Sequence, residues 1–380
     1  MKILLAAAFS FVLVLSAAAR GGAQSDVYEL ALIIALGKID DKSFNQGAWE
    51  GLKQYAEEHN ISHGYYQQAD QIIPRRAVAD EDISHSLPTD QVGDVYLNAI
   101  CLAVQSGAKV LVAPGFFFET SIYIAQDRYP DVRFILADGT PNNGDYSSGS
   151  LYTKVGDNTV SVLYAEEQAG FLAGYAAVKD GCRKLGFMGG MEVPGVIRYG
   201  YGYVQGAEYA AQELGLEEGS VTINYCYTGT FDPSPDIEAV AAAWYSDGIE
   251  VVFSCGGGIF FSIFPAAEHA GMKVIGVDID QSGESEAVIT SAMKLLAKSI
   301  YDCVAAFYRG EFPGGRTLIY KAENQGIGLS METSRFNSFS KADYDTIYAK
   351  LADKSVVVDN SVEIAPDEIP TRAVVVNNMR

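Results

Sequence analysis

Short apolar runs, each stopped by a polar or glycine turn and followed by a stretch of helical spacing, recur along most of this chain. Leu30–Leu36 (LALIIAL), Lys109–Ala113 (KVLVA), Arg133–Ala137 (RFILA), Lys184–Met188 (KLGFM), Glu250–Ser254 (EVVFS) and Lys273–Val277 (KVIGV) are such runs. Continuous apolar runs of this length suit strands buried on both faces, as in a parallel sheet. Strands that alternate with helices imply βαβ units and a doubly wound α/β fold. The pattern runs through about residue 155 and starts again near Lys184. Two similar α/β lobes are expected, over 27–155 and 156–320, with the chain crossing back through a hinge. Residues 321–380 are expected to span the hinge and then wrap the surface as an unpatterned tail. Polar residues where the strands stop place a ligand between the lobes, in a clamshell.

The richest of these turns is Gly37–Gly51 (GKIDDKSFNQGAWEG). It joins the first strand to a helix with apolar residues at Ala48, Leu52, Tyr55 and Ala56. Asp41 and Ser43 suit helix capping. Capping does not require Phe44, and an aromatic at a polar turn tip offers a face for something flat.

Met1–Ala19 has a lysine, an apolar core and then small residues, the pattern of a secretory leader cleaved after Ala19 or Ala23. No cysteine lies near that region, so a lipid-attachment site is missing and a periplasmic protein free of a lipid anchor is expected. The formal charge is −21; removing residues 1–23 takes away Lys2 and Arg20 and no acid, which moves it to −23. Such a surface repels nucleic acid. Cys101, Cys182, Cys226, Cys255 and Cys303 are scattered and mostly inside apolar runs, which favours buried free thiols; one disulfide stays open. Their spacing suggests no metal, and no cofactor is expected.

Enzyme signals are weak. Ser291–Lys294 (SAMK) matches the SxxK nucleophile motif, but its companions SDN and KTG are absent. Gly189-Gly190 and Gly256-Gly257-Gly258 follow strands without matching a dinucleotide or phosphate loop; turn formation explains them more simply. His59, His63, His85 and His269 are scattered. What remains is a set of strand-end groups: Asp41, Phe44, Asn45, Phe117, Asp138, Phe231, Asp278 and Lys294. Together they suit a nucleoside, with aromatics for a base, carboxylates for ring N–H groups and ribose hydroxyls, and a lysine to balance them.

The segments DDKSFNQGAWEGL, YPDVRFILAD, EEQAGFLAGYAA, FMGGMEVPGVIRYGYGYVQGAEYA, GTFDP, KVIGVDIDQ, VITSAMK and FPGG resemble, in order over about 29–350, the basic membrane protein family. These are substrate-binding proteins of ABC importers, and the match is similar in kind to spirochaetal purine-nucleoside-binding lipoproteins. The resemblance implies a type I periplasmic-binding-protein fold, a permease partner, a monomer, and a purine nucleoside such as inosine, guanosine or adenosine. It implies that Phe44 and Phe231 sandwich the purine and that Asp138 accepts hydrogen bonds from the base. Asp278 and Lys294 would hold the ribose hydroxyls, with the Gly256 backbone close to the sugar. Asp41, Ser43, Asn45 and Phe117 would complete the pocket. The chain departs from the family pattern at Gly256–Phe261 (GGGIFF in place of a GGTGNG-like loop), at a GTFSDP-like turn lacking its serine, and in a loop over 69–90 that looks inserted. The first departure makes the pocket edge more apolar. Two other readings stay open: the same clamshell holding a sugar or modified nucleoside, and an exported nucleoside hydrolase.

Overall fold

The computed structural model describes residues 27–67, 91–147 and 149–379. The expected leader, 1–23, and the loop 69–90 lie outside these residues. In chain order the first part comprises β1 (Leu30–Ile34), α1 (Phe44–His59), β2 (His63–Gln67), α2 (Gln91–Gln105), β3 (Val110–Pro114), α3 (Glu119–Arg128), β4 (Arg133–Ala137) and β5 (Thr159–Tyr164). The second comprises α4 (Glu166–Lys179), β6 (Lys184–Gly189), α5 (Pro194–Glu213), β7 (Val221–Tyr227), α6 (Pro235–Ser246), β8 (Val251–Cys255), α7 (Phe260–Ala270), β9 (Lys273–Asp278) and β10 (Val288–Lys294). Then follow α8 (Leu296–Tyr308), β11 (Arg316–Tyr320), β12 (Ile327–Leu329), α9 (Lys341–Ala352) and β13 (Val374–Asn378).

Two sheets form. The first has the order β11-β5-β4-β3-β1-β2 and the second β12-β10-β9-β8-β6-β7-β13. Pairing is parallel except between β10 and β12. The central strands β1, β3 and β8 are buried at every residue, as strands covered by helices on both faces must be.

The lobes exchange chain three times. The chain leaves the first sheet after Tyr164, and α4 packs against α5 and β10 of the second lobe. It returns after Lys294, where α8 packs on α1 and β11 joins β5. It crosses again after Tyr320 to reach β12. The lobe boundary expected at 155 therefore moves: β5 and the α8–β11 segment belong to the first lobe. The expected surface tail is also more ordered than its sequence suggests. β13 pairs in parallel with β7, and buried Glu208 accepts hydrogen bonds from the Ala373 and Val374 N–H groups at 2.9 Å.

Helix α5 lies hard against α4. A Cβ at Gly202 would stand 2.0 Å from the Glu167 carbonyl oxygen, so only glycine permits this approach. The same contact seen from α4 fixes where Glu166, at its first turn, meets Arg198 on α5. All five cysteines are free thiols.

Candidate functional site

The carboxyl ends of the two sheets' strands face each other across a cavity of about 810 Å³. The first lobe contributes Asp41, Phe44, Asn45, Phe117 and Asp138 to its wall; the second contributes Phe231, Gly256, Asp278 and Lys294. Residues spread over more than 250 positions thus meet at one place, because every strand of a doubly wound sheet delivers its turn to the same edge. Ser43 is not in the wall. It is buried behind it, and its Oγ donates to Asp278 Oδ2 at 2.5 Å, tying the lobes together.

The turn before α1 is organised by Asp41. Its carboxylate accepts hydrogen bonds from the backbone N–H groups of Ser43 (2.9 Å), Asn45 (3.0 Å) and Gln46 (3.1 Å). These are the donors that a helix start leaves unsatisfied. Asp41 therefore caps, while Ser43, expected to share that task, makes no capping bond. Burial pushes the Asp41 carboxyl up to about 6, against the pull of the three N–H groups. Asn45 Nδ2 donates to the Leu36 carbonyl at 2.8 Å and holds the preceding loop. Phe44, between these anchors, turns its ring to the cavity.

On the other lobe Phe231 lies against the glycine turns. A Cβ at Gly256, where φ is +153°, would meet the Gly190 nitrogen at 2.8 Å and Phe231 Cδ1 at 3.1 Å. The glycine thus lets the turn after β8 close on both.

The floor is charged. Lys294 Nζ is ion-paired with Asp138 and lies 3.0 Å from Glu166 Oε1. Glu166 Oε2 in turn accepts from Arg198 Nε at 2.7 Å. The Lys294 ammonium also sits over the rings of Phe44 (5.1 Å), Tyr164 (5.3 Å) and Tyr199 (5.5 Å), within cation–π range. Burial alone would pull this ammonium down; Asp138, Glu166 and Asp278 outweigh it and hold it above its ordinary value. Burial raises Asp138, with Lys294 opposing and Glu166 and Asp278 reinforcing. Burial likewise raises Asp278, against Lys294 and the Ser43 hydroxyl. Glu166 moves the other way: burial pushes it up, but Lys294 and Arg198 together hold it below the usual range. Three carboxyl groups thus face two cations here, and burial favours the protonated form of two of them.

Glu166, Arg198 and Tyr199 were not among the sequence candidates. Two of them carry a legible signal: Glu166 is one of two adjacent carboxylates opening an apolar helix, and Arg198 is the lone cation of α5. The SxxK match lies on β10, where residues three apart point to opposite faces. Ser291 Oγ there accepts from the Gln281 N–H at 3.0 Å, and Lys294 is occupied by carboxylates. His59, His63 and His269 do not line the cavity. Among the described residues no cluster of His, Cys, Asp and Glu has metal-holding geometry.

Residues 29–360 match the family model Bmp, described as ABC transporter substrate-binding protein PnrA-like. The chain belongs to the Bmp family. This Bmp chain is 27% identical over 347 residues to the ABC transporter nucleoside-binding protein BmpA of Lactococcus lactis subsp. cremoris, covering 84% of this chain and 87% of that protein. It is also 27% identical over 367 residues to basic membrane protein A1 of Borrelia garinii subsp. bavariensis, covering 95% and 97%. In fold it resembles a solute-binding protein of an ABC transporter system from Aeropyrum pernix K1 (TM-score 0.64, 21% identity, 90% of this chain and 84% of that one). A second such protein, from Conexibacter woesei, gives a TM-score of 0.61 at 20% identity, covering 88% and 99%. The fold is thus the type I periplasmic-binding-protein clamshell, and this Bmp protein is a substrate-binding protein of an ABC transporter, with a small solute as ligand and a permease as partner. Such proteins act outside the cytoplasmic membrane. Among the described residues no helix is long and apolar enough to cross a membrane.

Proposed function

We propose that this protein binds purine nucleosides between its lobes and delivers them to its permease. The observation that carries the reading is the pairing of Phe44 and Phe231, which reach one cavity from opposite lobes above a floor of carboxylates and a lysine. Two aromatic faces suit a purine, and carboxylates suit ring N–H and ribose hydroxyl donors. The nucleoside-binding name of the Lactococcus relative agrees with this choice. Asp138 takes the base, and Asp278 with Lys294 takes the ribose, the Gly256 backbone lying alongside. The Asp138–Lys294 ion pair makes these two assignments neighbours, so base and sugar meet one connected polar group. Asp41, Ser43 and Asn45 hold Phe44 in place. The leader over 1–23 delivers a monomer to the periplasm, where it diffuses to the permease.

Titration calorimetry with inosine, guanosine, adenosine and ribose tests the reading. Binding of at least one purine nucleoside, far tighter than ribose, is expected. Assaying the same mixtures for free base separates a receptor from a hydrolase: the nucleoside should come through unchanged. Ribose binding alone, or release of free base, would overturn the proposal.

A further inference from the structure

The cavity wall has two characters. Its floor is the charged cluster around Lys294, whereas its exposed rim carries large apolar side chains from both lobes, set among the charged Lys38, Asp40, Glu192 and Asp232. Leu36 and Tyr146 from the first lobe and Phe261 from the second all line the cavity, yet remain 41%, 69% and 52% exposed. Phe116 and Phe117, with ring centroids 4.1 Å apart, continue this surface inward from the first lobe. These groups are additional to the Phe44 and Phe231 pair that is proposed to hold the base.

Two of these side chains make anchoring contacts. Phe261 is the second residue of α7, and its ring lies 4.0 Å, centroid to centroid, from the buried Phe260. Tyr146 is tethered through its hydroxyl to Glu119 Oε2 at 3.4 Å. Glu119 is itself held by the Thr140 N–H (2.8 Å) and Asn142 Nδ2 (2.7 Å), while Asn142 Oδ1 accepts from the Gly144 N–H at 3.0 Å. The carboxylate is thus spent on shaping the loop that carries Tyr146.

Charge limits what the mouth accepts. At the exposed rim three carboxylates, Asp40, Glu192 and Asp232, accompany one cation, Lys38, while the deeper cations Lys294 and Arg198 are committed to ion pairs. A phosphorylated or carboxylated extension meets net negative charge there. Apolar area left exposed at a binding mouth is instead stabilised by apolar cover.

We infer that the mouth is a second subsite, framed by Tyr146 and Phe261, for an uncharged alkyl or aryl substituent on the nucleoside. The ligand class is then purine nucleosides with an apolar extension. The inference rests on the nucleoside reading proposed above.

Calorimetry with adenosine, N6-benzyladenosine and 5′-benzylthio-5′-deoxyadenosine tests it, the last two carrying the same apolar group on base or sugar. At least one benzyl compound should bind about tenfold tighter than adenosine, the order expected for covering one phenyl-sized surface. In the double variant Tyr146→Ala/Phe261→Ala that ratio should fall to about one. Phe261→Ser, a single polar substitution at an exposed position, gives the same comparison if the double variant does not fold. The inference is overturned if neither benzyl compound gains over adenosine. It is also overturned if the ratio survives the substitutions, including the case where all affinities fall together because these side chains merely meet on lobe closure. Failure of adenosine, inosine and guanosine to bind at all overturns the nucleoside reading and this one with it; adenosine binding without a benzyl gain removes only the subsite.

Discussion

Glu166 Oε1 lies 3.0 Å from Lys294 Nζ, and the two residues stand at two of the points where the chain passes between lobes. Glu166 opens α4 just after the first crossing; Lys294 ends β10 just before the second. The carboxylate is fully buried and also holds Arg198. One side chain therefore couples the crossing segments to the lysine at the cavity floor.

Glu166→Gln should be costly. It removes the charge shared by Lys294 and Arg198, and breaking a buried ion pair on one side typically costs about 3–5 kcal/mol. The amide recovers part of this by hydrogen bonding, so a loss of about 2–4 kcal/mol is expected. Urea unfolding measures it, and an unchanged midpoint would refute the coupling.

Phe44→Ala and Phe231→Ala should each weaken nucleoside binding by about ten- to hundredfold, since base–aromatic stacking is worth roughly 1–3 kcal/mol per base. Calorimetry on the two variants checks this. Full affinity in both would remove the sandwich.

Glu167 makes stability depend on pH. It is buried beside Glu166, its Oε2 has no hydrogen-bond partner among the described residues, and its carboxyl is pushed up to about 7 by burial and then by the Glu166 charge. The native state thus keeps a proton that the unfolded chain releases above its ordinary value of 4.5. Its stabilising contribution is complete below that value and is lost as pH rises through about 7. Wild-type protein should lose stability between pH 5 and pH 8, and Glu167→Gln should remove on the order of 2 kcal/mol of that loss. Thermal unfolding at both pH values gives the comparison; parallel curves for the two proteins would contradict it.

Gly202→Ala should destabilise by about 2–3 kcal/mol, because the added methyl cannot fit without parting α5 from α4. Gly283, whose Cβ would meet nothing within 4 Å, is the control: alanine there should stay within about 0.5 kcal/mol of wild type. Since Arg198 lies one turn before Gly202, the first variant should also weaken ligand binding. Equal stability of the two variants would show that the helix contact relaxes freely.

The runs LALII, RFILA and KVIGV announce strands because a strand covered on both faces has no polar side to show, and the residue that ends such a run must sit at the sheet's ligand-binding edge. That logic needs no tertiary knowledge, and it is why Phe44, Asp138, Phe231, Asp278 and Lys294 could be singled out one turn at a time. Which strands pair is another matter. Thr159–Tyr164 reads as readily into the second lobe as into the first, and only its place beside Arg133–Ala137 and Arg316–Tyr320 decides. Parallel neighbours are joined through long crossovers, so local sequence carries little record of them. VVVNN at 374–378 becomes an edge strand because Glu208, 166 positions before Val374, accepts its N–H.

The sequence by itself determined the layered α/β class, the two-lobed plan and the chemistry available at the strand ends, since each depends on side-chain pattern within one strand or turn. Tertiary structure alone decided that Asp41 caps α1 while Ser43 turns to Asp278, and that Lys294 answers to Asp138 and Glu166 together. A hydroxyl or an ammonium can serve several partners, and the choice falls to whichever carboxylate the crossings bring within reach in a buried site, where an unpaired charge costs most.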